Sequence, residues 1–200
     1  MQKDRPSITQ TTRKAFQHTG LDMALYLYGI IDYALDLETT GIDIIKDEAI
    51  QLGVIELKTT KVLLNHHFLP TVPISAGAQR IHGKDEQWLK DNNAVKFEEV
   101  YEEVAASLKG KVIAGYNVAF DACILDNMCA RRGLPPLEVG MWVDLMPCFT
   151  LIKGRWSTTR KGFAWPKLAE FNIHKLELHD AISDCLVICN YLQHIKSKVK

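Results

Sequence analysis

Short apolar runs alternate with longer amphipathic ones from Ile31 onward, and their periods separate strands from helices. Residues 31–37, 49–57 (AIQLGVIEL) and 62–69 (VLLNHHFL) are short, apolar and rich in β-formers, which predicts three strands. A polar Lys-Thr-Thr-Lys turn joins the second to the third, as in a hairpin, and Pro70 and Pro73 then open a loop. Residues 97–108 place apolar side chains at 97, 100, 101, 104, 105 and 108, the spacing of an amphipathic helix that Gly110 stops. A strand is expected at 112–114, then a helix to about Arg132, ended by Gly133 and the Pro135-Pro136 pair. A strand at 141–143, a short helix at 144–152, a loop at 153–167, a helical turn at 168–171 and a helix at 180–195 complete the chain. The order β-β-β-α-β-α-β-α-α implies an α/β fold, with an antiparallel hairpin at one side and crossover helices after it.

The first 30 residues fit this pattern poorly. Residues 1–20 are polar and rich in Thr and Gln, which suggests a flexible or accessory leader, while 23–28 are apolar without a period. That apolar stretch suits either a helix packed on the domain or a lead-in to the first strand. The expected organisation is a leader of unknown structure at 1–30 and a single domain at 31–197.

Composition narrows the class. At 200 residues one core is expected to bury roughly 70% of the unfolded surface. An apolar content of 47% argues against wholesale disorder. Lys plus Arg and Asp plus Glu both total 24, so net charge gives no hint of a nucleic-acid partner. The five cysteines are odd in number and form no Cys-x-x-Cys pair, which suits free thiols in a reducing cytosol. Asp22, Asp32 and Asp36 interrupt the apolar run from 21 to 37, which falls short of a membrane span, and a cytoplasmic protein is expected.

The chemistry resides in misplaced carboxylates. Asp36 and Glu38 are two apart in a strand, so they project to one face, while Leu35 and Leu37 point into the core. Two carboxylates about 6 to 7 Å apart repel, and burial makes that costlier unless a divalent cation lies between them. Alone, the pair also fits a solvated strand end. Asp121 lies in the first turn of its helix, aligned with Ile124, Leu125 and Met128; it either complements the helix dipole or faces a cation. Asp184 falls within the stripe Ala181, Cys185, Ile188, Leu192, Ile195, where an unpaired carboxylate is expensive. Asp180 reads as that helix's N-cap, with His179 just ahead of it. Four acids from three segments select hard cations, Mg²⁺ or Mn²⁺, and suit a two-metal phosphoryl displacement.

The segments LDLETTG (35–41), NVAFD (117–121) and HDAISD (179–184) resemble, in order, the three motifs of the DEDDh, DnaQ-like 3′→5′ exonucleases. That family includes the proofreading epsilon subunit of DNA polymerase III, exodeoxyribonuclease X and RNase T. The resemblance covers about residues 31–195 and implies an RNase H-like fold, a five-stranded mixed sheet flanked by α-helices. It implies that Asp36, Glu38, Asp121 and Asp184 hold two Mg²⁺ or Mn²⁺ ions and that His179 is the general base. Thr39, Thr40, Asn117 and Phe120 would meet substrate, and His82, in RIHG (80–83), is a further contact. The sequence departs from many relatives at Gln51, where they carry Glu, and residues 1–30 have no counterpart in the common core.

A basic, aromatic stretch, KGRWSTTRKGFAWPK (153–167), holds no acid. Arg160 and Lys161 are expected to track phosphates, since cationic and aromatic side chains together commonly hold single strands; at least one Trp is expected to pack on the core. The expected function is a metal-dependent exonuclease releasing nucleoside monophosphates from 3′ ends of single-stranded DNA, with no membrane partner and a role in DNA repair or replication. An RNA-trimming enzyme of the same fold is the alternative, and a non-catalytic binding module the second.

Overall fold

A computed structural model of the chain describes residues 8–198. The central sheet has five strands: β1 (Tyr33–Thr39), β2 (Ala49–Glu56), β3 (Val62–His67), β4 (Val112–Gly115) and β5 (Met141–Asp144). Their spatial order is β3-β2-β1-β4-β5. The first three are antiparallel neighbours, whereas β4 pairs with β1 and β5 with β4 in parallel. Parallel pairing needs crossovers. Helices α4 (Phe97–Leu108) and α5 (Val118–Arg131) lie in the connections that lead to β4 and β5. The sheet is the mixed, five-stranded one the sequence implies.

Both faces of β1 are covered, and Ala34, Leu35 and Leu37 are accordingly all buried. Leu35 and Leu37 share one core with Val104 and Leu108 of α4 and Ile124, Leu125 and Met128 of α5. Ala34, on the opposite face, belongs to a second core with Phe149 of α6 (Met146–Lys153) and Cys185 and Ile188 of α7 (Ala181–Lys198). Each buried Leu or Ile contributes roughly 1.5–3 kcal/mol. Four of the five cysteines are buried, and all five are free thiols.

Much of the leader is one helix, the first of the two alternatives for 23–28. Helix α1 (Gln10–Ile30) starts at Thr9, whose hydroxyl accepts from the Thr12 amide, and it packs Ala24 and Leu21 into the second core. A Cβ at Gly20 would lie 2.8 Å from the Ile152 nitrogen, so α1 and α6 approach almost backbone to backbone. The apolar stretch 23–28 is therefore a packed helix, and the polar residues 10–20, expected as a leader, continue it. Its period was faint because only Gly20 and Ala24 are fully buried. Residues 1–7 lie outside the described residues.

Two further differences lie in predicted loops. Helices α2 (Ala76–His82) and α3 (Glu86–Asp91), capped by Ser75 and Asp85, follow the Pro70/Pro73 segment; both are too short to display a period. Within 153–167, β6 (Trp156–Ser157) and β7 (Gly162–Phe163) form a two-stranded ribbon that Phe16 of α1 meets edge-on through Phe163. Among the described residues no helix is long and apolar enough to cross a membrane.

Two local features aim the site. The β1–β2 register shifts between Glu38 and Thr39, with Ile50 of β2 as the extra residue, so an irregularity of the partner strand lies opposite the end of β1 that carries Glu38. At Gly53 of β2 a Cβ would lie 2.7 Å from the Ala181 carbonyl carbon, so the first turn of α7 seats directly on the strand. Gly53→Ala should therefore displace the start of α7 and cost about 1–3 kcal/mol. Thermal denaturation would read this as a drop of several degrees; an unchanged midpoint would show that the contact is slack.

Candidate active site

The C-terminal end of β1, the N-terminus of α5 and the N-terminus of α7 converge. From them come Asp36 and Glu38, Asp121, and Asp184 with His179. Each of Asp36, Glu38 and Asp184 offers an oxygen, and the three oxygens lie within 4.8 Å of one another. Asp121 falls outside that trio but adjoins it, since its charge acts directly on Asp36. It is buried and accepts hydrogen bonds from its own amide and that of Leu37.

Burial and mutual repulsion push these carboxyls toward the protonated form. Asp36 lies well above the usual range, through burial first and then the charges of Asp121, Asp184 and Glu38. Burial raises Glu38 to about 7, with Lys84 opposing the rise and Asp184 adding to it. Burial likewise raises Asp121 to about 8, against its two amide hydrogen bonds. Asp184 is raised by burial, while the charge and backbone amide of His179 pull the other way. The cluster thus retains protons near neutrality unless a cation replaces them.

The donors fit such a cation. Asp184 Oδ1 is buried and has no hydrogen-bond partner, which is costly for a carboxylate oxygen unless something else coordinates it. An all-carboxylate set suits Mg²⁺ or Mn²⁺ rather than zinc.

His179 is exposed, with a left-handed backbone (φ 65°), just before α7. Asp180 caps that helix as expected: its Oδ1 accepts from the Ile182 and Ser183 amides at 3.2 and 3.3 Å.

The other predicted residues divide. Thr39 and His82 line, with Glu38, a cavity of about 480 Å³ that has an apolar wall from Ile42, Ala78 and Ile81. Thr40 does not face it. Its side chain is 0% exposed; its hydroxyl donates to Asp47 and accepts from the Glu48 amide, so it serves the turn rather than a substrate. That turn is also clamped by Arg131, which donates to the carbonyls of Ile45, Lys46 and Asp47. Asn117 is exposed at the start of α5, its amide held by Asp144 Oδ1 at 2.9 Å, and Phe120 packs against the first core. Arg160 and Lys161 are exposed at the turn between β6 and β7. Lys153 and Arg155 are instead engaged by Glu170. Trp156 is half-buried, edge-on to Phe163, whereas Trp165 is 66% exposed.

Sequence reasoning missed Lys84. It is only 4% exposed and its field reaches both Glu38 and Asp184. A single Lys after Gly83 in a polar run carries no periodic signal of burial. The one available clue was its place directly after the RIHG segment.

A family model described as an exonuclease, RNase_T, matches residues 33–192. The chain is 33% identical over 101 residues to a PolC-type DNA polymerase III of Caldanaerobacter subterraneus subsp. tengcongensis; the match covers 50% of this chain and 7% of that protein. The chain thus corresponds to a small part of that relative. Among solved structures, E. coli Exonuclease I in complex with a dA16 oligonucleotide superposes with a TM-score of 0.66 at 20% identity, covering 82% of this chain and 40% of that one. Exonuclease X in complex with 5′ overhanging duplex DNA superposes with a TM-score of 0.53 at 22% identity, covering 84% of this chain and 92% of that one.

Proposed function

Because this chain belongs to the RNase_T exonuclease family, we propose that it hydrolyses phosphodiester bonds at the 3′ ends of single-stranded DNA, releasing nucleoside monophosphates. The observation that carries this reading is the trio Asp36, Glu38 and Asp184, whose ligand oxygens converge within 4.8 Å, with one buried oxygen of Asp184 unpartnered. Two Mg²⁺ or Mn²⁺ ions bound there, with Asp121 as a further ligand, would polarise the scissile phosphate and stabilise the attacking and leaving oxygens.

The chain's own groups would perform the remaining steps. His179, as general base, takes a proton from the attacking water as the new P–O bond forms. The bond to the 3′-oxygen of the preceding nucleotide breaks, and that oxygen departs with the shortened strand, taking up a proton from solvent to become its new 3′-hydroxyl. The cavity beside Glu38 is roomy enough for a terminal nucleotide, with Thr39 and His82 on its walls and Ile42 and Ile81 offering apolar contact to a base. Asn117 and Phe120 flank Asp121. Exposed Arg160, Lys161 and Trp165 are suited to the phosphates and bases further along the strand. The DNA-bound relatives support DNA over RNA, and a PolC-type relative is compatible with a replication or repair setting.

Parallel incubation of 5′-labelled single-stranded DNA, duplex DNA and RNA with Mn²⁺ tests this. A ladder shortened from the 3′ end of the single-stranded DNA is expected. A strong preference for RNA would overturn the substrate, and intact oligonucleotides in all three reactions would overturn the activity.

A further inference from the structure

A lysine 4% exposed is unusual, and Lys84 lies in an electrostatically odd place. It sits against the N-terminus of α7, the positive end of the helix dipole, where a cation is disfavoured. Its Nζ donates to the His179 carbonyl at 3.3 Å and is 3.7 Å from Asp180 Oδ2. The ammonium also lies over the Trp88 ring, 5.2 Å from its centroid. Burial removes it from direct contact with a substrate phosphate, so any effect must pass through these neighbours.

Those neighbours are themselves fixed. Asp180 Oδ2 accepts from Gln51 Nε2 at 2.9 Å, and Gln51 is 0% exposed. Gln51 Nε2 also donates to Asn65 Oδ1 at 3.0 Å, while its Oε1 accepts from the Ala181 amide at 3.3 Å. On the other side, the Lys84 amide donates to His82 Nδ1 at 3.0 Å. The peptide between His179 and Asp180 is thereby held from the sheet through Gln51 and from the α2–α3 junction through Lys84. His179 needs such a hold, because a left-handed φ of 65° is strained for a residue with a Cβ.

We propose that Lys84 is a positioning residue: its buried ammonium locks the His179–Asp180 step, presenting the His179 imidazole to the carboxylate cluster. The inference rests on the reading of His179 as the general base. A base acts only within hydrogen-bond reach of its water, so a loosened step lowers turnover without changing how the strand is held.

The test compares Lys84→Met, Lys84→Arg, His179→Ala and the double variant Lys84→Met/His179→Ala with wild type. The substrate is a labelled single-stranded DNA oligonucleotide with Mn²⁺. Lys84→Met is expected to lower kcat about tenfold or more with KM nearly unchanged, and Lys84→Arg to recover most of the loss. In the His179→Ala background the Lys84 substitution should cost nothing more, since the ring it positions is gone. Hydrogen exchange, which requires no activity, should quicken at residues 179–182 in Lys84→Met, and most of the remaining chain should keep its protection. Equal losses in both backgrounds, wild-type kcat in Lys84→Met, or unchanged exchange at 179–182 would each overturn the proposal. Wild-type turnover in His179→Ala would instead remove the base assignment and the proposal with it. An inactive wild type would sink the exonuclease reading, while the exchange result would still judge the lock itself.

Discussion

Asp36→Asn should be nearly inactive and yet melt higher than wild type when no metal is added. The loss, at least about 10³-fold in turnover, follows from removing the central member of a trio proposed to hold the metal. The gain in stability follows from the same geometry. Asp36 is held well above the usual carboxylate range by burial and by Asp121, Asp184 and Glu38, so its ionised form is a burden on the metal-free fold. A neutral amide of the same shape relieves that burden, and a rise of a few degrees in the metal-free melting temperature is expected. Turnover near wild type would remove Asp36 from the metal site. A fall in the metal-free melting temperature would show that its carboxylate makes net favourable contacts.

Metal-free stability should also fall as pH rises across neutrality, the reverse of the trend produced by salt-bridged acids. A carboxyl whose folded pKa is raised holds its proton longer in the native state than in the unfolded chain. Its contribution is fully present below the unfolded pKa and disappears as pH climbs through the folded one. For Glu38 the interval runs from 4.5 to about 7 and for Asp121 from 3.8 to about 8, so the decline should span roughly pH 4 to 8. Glu48, lowered by hydrogen bonds from Thr71 and Arg132 despite burial, works in the opposite sense and loses its contribution below its ordinary value of 4.5. The metal-free optimum therefore belongs on the mildly acidic side. Adding Mn²⁺ should raise the melting temperature far more at pH 8 than at pH 5.5, because the ion competes with protons for the same oxygens. Melting curves at both pH values, with EDTA and with Mn²⁺, decide the matter. Equal Mn²⁺ stabilisation at the two values would contradict the cluster's protonation.

The strands and the longer amphipathic helices could be read from the chain because each buries one recognisable periodic face. Residues 97–108 were legible to the exact residue, since Phe97, Tyr101, Val104 and Leu108 form a continuous buried stripe. Helix α1 was not, because it docks through Gly20 and Ala24, where the absence of a side chain makes the contact. The carboxylate trio was legible because an acid on an apolar face is conspicuous. Asp121 was recognised by the same signal, although it stands beside the trio rather than within it. Thr40 shows the opposite failure: motif position suggested a substrate contact, but only three dimensions reveal that its hydroxyl is already committed to Asp47 and Glu48. Lys84 lay in a run that reads as surface, and its burial depends on contacts with residues almost a hundred positions away.

The placement of α7 also bears on the order in which the molecule is made. The helix that carries Asp184 comes last in the domain yet lies against β1 and β2, which come first. Until it emerges from the ribosome, the face of β1 bearing Asp36 and Glu38 lacks the cover that α7 supplies, and water can screen the two charges more fully. The repulsion that Asp184 adds to the cluster therefore comes last, after the segments that carry Asp36, Glu38 and Asp121 have been made. A nascent chain stalled before residue 181 would lack Asp184, and with it one corner of the carboxylate trio.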